Sequence, residues 1–117
     1  MTLPVRDLTA SSDLAQLEAS AHEASRLLKL MANEQRLLLL CRIAEEEVSV
    51  GDLSDYVGLA QSAVSQHLAK LRAEGVVSTR REAQTIYYRL SNTAAREIIN
   101  VLCSLYGPGQ TRPTRAQ

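Results

Sequence analysis

Two short amphipathic segments stand almost back to back in this chain. "SVGDLSDYVG" (49–58) and "QSAVSQHLAKLRAEG" (61–75) are separated by Leu59 and Ala60 alone. Ser49 and Asp52 have the spacing of a capping box that opens a helix, and Gly58 supplies a stop. The second segment repeats its apolar residues at helical intervals, Val64, Leu68 and Leu71, and stops at Gly75. Helices joined by so few residues must cross sharply, and that is a helix-turn-helix.

The outer face of the second segment is unusual. It carries Ser62, Ser65, Gln66 and Ala69, where a solvated helix normally shows Glu and Lys. A helix entering the major groove needs a narrow face that forms hydrogen bonds without negative charge. Gln can contact adenine through two hydrogen bonds, and Ser serves either base type. Gln61, Ser62, Ser65 and Gln66 are therefore the base-proximal candidates. His67 lies beside them but turns toward Val64 and Leu71, which predicts partial packing.

The flanking segments fit this reading. "SDLAQLEASAHEASRLLKLM" places Leu14, Leu17, Ala21, Ala24 and Leu28 in steps of three and four, a stripe suited to packing on another helix. Asn33 caps "EQRLLLLCRIAEEE", whose Leu37, Leu40, Cys41 and Ala44 predict an inward face. "VVSTRREAQTIYYRL" switches to Val, Thr, Ile and Tyr around a polar break at 82–84, the signature of a β-hairpin. Asn92 opens a last helix, stopped at Gly107–Pro108, with Ile98, Leu102 and Leu105 among apolar residues on more than one side. So apolar a helix predicts a second partner. With Leu14, Leu17 and Ala21 it predicts a homodimer.

The expected fold is mainly α with a small β-hairpin wing, a winged helix-turn-helix in the order α-α-α-α-β-β-α. Residues 12–106 form the domain. Residues 1–11 and 107–117 are expected to be flexible.

Charge supports a polyanion partner. The formal net charge is zero, yet residues 1–60 hold five basic against ten acidic side chains, and residues 61–91 hold five basic against two acidic. Lys70 and Arg72 lie on the reading helix; Arg80 and Arg81 fall near the hairpin tip, in reach of phosphates or a minor groove. The alternative for each is ordinary solvated charge. With four Tyr, no Phe and no Trp, a stacking platform for single-stranded nucleic acid is disfavoured.

No apolar run approaches the ~18 residues of a membrane span, and the start shows no export pattern, so a soluble cytoplasmic protein is expected. No phosphate-binding glycine loop or catalytic constellation is present; "EEE" at 45–47 reads as a solvated helix end. An enzyme and a cofactor are not expected. A winged helix used only for protein association is the remaining alternative of a different class.

From about residue 25 to 106, and above all in "QSAVSQHLAKLR" and "VSTRREAQTIYY", the chain resembles the ArsR/SmtB family of dimeric winged-helix repressors. The likeness is greatest to the branch that holds nodulation and haemolysin regulators and persulfide sensors. It implies binding of double-stranded DNA at an imperfect inverted repeat, with Gln61, Ser62, Ser65, Gln66, His67, Lys70, Arg72, Arg80 and Arg81 facing the duplex. Relatives commonly carry Ser or Thr where this chain has Ala60, a lost helix cap worth roughly 1 kcal/mol. Metal-sensing relatives use Cys near the start of the helix-turn-helix, or Asp and His on the last helix. "SVGDLSDY" has no Cys and the last helix no His, so no metal site is expected.

Cys41 falls where persulfide-sensing relatives carry their first thiol; the second aligns with Gly107, and this chain offers Cys103 one turn earlier. The resemblance implies a thiol switch at Cys41 and Cys103 driven by reactive sulfur or an oxidant. Two alternatives stand beside it: both cysteines as small core residues, and a regulator without a thiol switch.

Overall fold

The computed structural model describes residues 11–107. Within them the order is α1 (Ser11–Met31), α2 (Glu34–Glu45), β1 (Val48–Ser49), α3 (Val50–Val57), α4 (Gln61–Ala73), β2 (Val77–Glu82), β3 (Thr85–Leu90) and α5 (Thr93–Tyr106). This is a winged helix-turn-helix, α3 and α4 forming the motif and β2–β3 the wing. The expected loose termini lie outside the described residues, except that Ser11 already belongs to α1 and Gly107 closes α5.

Three helices start on a side-chain oxygen that satisfies an otherwise orphaned backbone N–H. Asn33 accepts from the Arg36 N–H at 3.0 Å, Ser49 from Asp52 at 3.2 Å, and Asn92 from Ala95 at 2.8 Å. Helix α4 opens at Ala60, whose side chain offers no such bond. Gly58, at φ 74°, takes the left-handed conformation that ends α3 and lets α4 begin three residues later.

Helix α2 is the centre of the core. Its Leu39, Leu40 and Ile43 are buried, against Leu53 of α3, Val64, Leu68 and Leu71 of α4, Val77 and Leu90 of the wing's base, and Ala95 and Ile99 of α5. The face expected from the sequence is thus rotated: Leu37, Cys41 and Ala44 only flank the core. A helix packed on several sides buries more than one stripe, so four consecutive leucines did not reveal which faced inward.

The strand β1 was not expected. It pairs antiparallel with β3 (Val48 with Tyr88, Ser49 with Tyr87), giving a sheet ordered β1-β3-β2. Two residues carry no readable period, so only the partner strand reveals them.

The first and last helices keep apolar surface uncovered. Leu14, Leu17 and Leu28 on α1, and Leu105 and Tyr106 on α5, are all exposed. Ala21 is exposed as well, whereas Ile98 and Leu102 are half-buried in their own chain and Ile98 packs on the core. Among the described residues, no helix is long and apolar enough to cross a membrane.

Candidate nucleic-acid interface

Helix α4 is fixed from behind. With Val64, Leu68 and Leu71 fully buried, the opposite side must face outward, and Gln61, Ser62, Ser65, Gln66, Ala69, Lys70 and Arg72 are all exposed. Gln61 leans back over α3, its Nε2 in van der Waals reach of the Gly51 position. Lys70 and Arg72 form no ion pair among the described residues.

His67 has another task. It is half-buried, and its Nδ1 sits 3.4 Å from Nη1 of Arg36. Arg36 also donates through Nε to the Leu30 carbonyl at 2.6 Å, so one guanidinium ties the end of α1 to α2 and α4. Facing a cation, Nδ1 must accept. Burial first, then the Arg36 and Lys70 cations, hold His67 below its ordinary pKa and keep it neutral. The partial packing expected of His67 is thus found, with Arg36 as its partner.

The wing separates the two arginines that the sequence placed together. Neighbouring residues of a strand point to opposite faces. The register sets Arg80 opposite Tyr87 and Arg81 opposite Ile86. Arg81 shares its face with Val77, Tyr88 and Leu90, whose base is the domain core, and it is exposed beyond that base without an ion pair among the described residues. Arg80 lies on the other face, in a cluster. Its Nε and Nη2 donate to Glu47 at 2.9–3.3 Å, and its Nη1 donates to Glu82 at 2.8 Å. The guanidinium also stands 4.7 Å from the Tyr87 ring centroid. The hydrogen bonds from Arg80 hold the Glu47 carboxyl below its usual range. The wing turns at Ala83–Gln84, with Ala83 at φ 57°.

Sequence reasoning missed Arg36, Glu47 and Tyr87. Glu47 was read as part of a helix end, but α2 stops at Glu45 and the chain runs extended from Glu46 into β1. Only knowledge of β1 would have placed Glu47 beside the wing.

The two cysteines meet within one chain. Cys41 on α2 is half-buried and Cys103 on α5 is exposed. Burial first, then the charge and hydrogen bonding of the adjacent Cys103 thiol, push the Cys41 thiol up. Gly107, the other position of interest, donates its N–H to the Cys103 carbonyl at 2.7 Å, so close that a Cβ there would collide with that oxygen.

Residues 33–79 match the family model described as "Bacterial regulatory protein, arsR family". The transcriptional activator HlyU of Vibrio cholerae is 50% identical over 97 residues, 83% of this chain and 90% of that protein. The structure of reduced HlyU from Vibrio cholerae superposes with a TM-score of 0.75 at 50% identity, covering 78% of this chain and 96% of that one. The transcriptional repressor BigR from Xylella fastidiosa gives 0.74 at 38% identity, over 79% and 94% of the two chains.

Proposed function

Because this chain belongs to the arsR family of bacterial regulatory proteins, DNA-binding regulators of transcription, we propose that it binds an inverted-repeat operator as a homodimer, represses from it, and lets go when Cys41 and Cys103 are linked. The observation that carries the DNA part is the front of α4. Ser62, Ser65 and Gln66 stand exposed and uncharged on a helix whose back is buried, with the cations Lys70, Arg72 and Arg81 around them unpaired among the described residues. Gln66 and the serines read base edges, and the three cations take phosphates. A second subunit joins along α1 and α5, setting two reading helices about 34 Å apart. Repression follows where such an operator overlaps a promoter.

The thiol part rests on the nearness of Cys103 to Cys41 within one chain. The exposed Cys103 thiolate attacks a sulfur of an inorganic polysulfide; that S–S bond breaks and the shortened polysulfide leaves with the electron pair. The Cys41 thiolate then attacks the Cys103 sulfur and expels hydrosulfide, leaving a disulfide. Two electrons have passed to the polysulfide, and the two thiol protons to water and the released sulfide. Linking α2 to α5 alters the helix that carries the second subunit, and with it the spacing of the reading helices. The competing reading, cysteines that only pack, draws on the contact of Cys41 with the core.

One experiment tests both parts. Duplexes selected from a random-sequence pool are titrated by fluorescence anisotropy across a salt series, with reduced protein and after polysulfide treatment. Tight, steeply salt-dependent binding to an inverted repeat is expected, weakened at least tenfold by Gln66→Ala, and lost on treatment unless Cys41 is Ser. Failure to select any duplex overturns the DNA reading. Cys41→Ser protein that still responds fully overturns the switch.

A further inference from the structure

The outer face of the wing carries the Arg80–Glu47–Glu82 cluster, apart from the cations assigned to phosphates. We propose that Arg80 is a positioning residue: Glu47 and Arg80 form a latch that fixes the wing against the end of α2 and so presents Arg81 to the phosphate backbone.

Four observations converge. Both carboxylate oxygens of Glu47 accept from Arg80, and the second guanidinium arm is taken by Glu82, so all three guanidinium nitrogens already donate to carboxylates of the protein. Tyr87, directly across from Arg80 in the register, supports the guanidinium with its ring. Alternation along β2 turns Arg80 to the opposite face from Arg81. Finally, Glu47 stands between α2 and β1, two residues beyond the helix, and so anchors the latch to the most buried helix. A phosphate reaching Arg80 would approach two carboxylates; one reaching Arg81 meets none on that face among the described residues. A two-stranded hairpin is pliable, and the sheet's third strand reaches only Tyr87 and Tyr88, midway along β3. The latch grips the wing at the same level, through Arg80 opposite Tyr87.

The inference rests on the DNA-binding reading, and the two fail in different ways. Arg80→Gln, Glu47→Gln, the double variant and Arg81→Gln are compared by anisotropy on one selected duplex across a salt series. Amide exchange of residues 78–87 is measured without DNA. Arg81→Gln should lower the salt slope of the dimer by about 1.8, the loss of one phosphate contact in each subunit. Arg80→Gln and Glu47→Gln should each leave the slope unchanged, weaken binding roughly two- to fivefold, the scale of an exposed ion pair, and speed amide exchange in the wing. The double variant should be no worse than either single one. If Arg80→Gln lowers the slope as much as Arg81→Gln does, or Glu47→Gln binds as tightly as the parent or more so, Arg80 is a phosphate ligand and the latch is wrong. Unchanged amide exchange in both single variants overturns it too, whatever DNA does. No selectable duplex, with exchange still accelerated, would count against the DNA reading and leave the latch standing.

Discussion

At the scale of single residues, chemistry was more legible than direction. Ser62, Ser65 and Gln66 stand outward as read, because three apolar neighbours on one helix fix where the others point. Arg80 and Arg81 were indistinguishable by type, and only pairing with β3 showed that one faces carboxylates and the other does not. The partial packing of His67 was legible, but the partner that decides its role, Arg36, lies 31 residues away. That role has a pH signature. A histidine whose folded pKa lies below its unfolded value contributes its full stability above about pH 6.5, where both states are neutral. As pH falls below that, the unfolded chain takes up the proton first, and stability declines until pH has passed the folded value. His67→Gln keeps an acceptor near Arg36 without titrating. Its urea midpoint should therefore fall less than the parent's between pH 7.5 and 5.5, and an equal fall in both would mean that other groups govern acid destabilisation.

At the scale of elements, helices announced themselves by caps and stops. Asn33, Ser49 and Asn92 each accept the N–H that their position promised, and Gly58 adopts the conformation that a tight turn demands. The hairpin was visible in its composition. The two-residue β1 was not, because a strand so short is defined by its partner rather than by its own pattern. Helix α4 starts without help: Ala60 has extended backbone, φ −63° and ψ 150°, suited to a cap residue, and no oxygen to offer. Ala60→Ser needs no backbone change and should stabilise the domain by about 1 kcal/mol. Chemical denaturation would show this as a higher midpoint at an unchanged slope. No shift would mean that another group or solvent already satisfies the first turn of α4.

At the scale of the whole molecule, two surfaces divide the labour. The front of α4 is polar and flanked by Lys70 and Arg72, and Arg81 stands exposed on the wing; the stripe of Leu14, Leu17, Ala21 and Leu28 on α1 and the end of α5 are apolar and uncovered. Leu17 is 51% exposed and Leu105 58%, although both lie on helices whose inner residues are packed. The core built from α2, α3, α4 and the sheet closes within one chain, so a subunit does not need its partner to bury Leu39, Leu53 or Leu68. A charge at Leu17 or Leu105 should therefore separate subunits without unfolding them. Leu17→Glu and Leu105→Glu, examined by sedimentation equilibrium, should shift the protein to monomer while far-UV circular dichroism keeps most of its helical signal. On the selected duplex, affinity should drop by roughly a hundredfold or more, because each half-site must then be held without its neighbour. A variant that stays dimeric would move the interface elsewhere. A monomer that binds as tightly as the parent would show that one subunit suffices, and the inverted repeat would lose its physical reason.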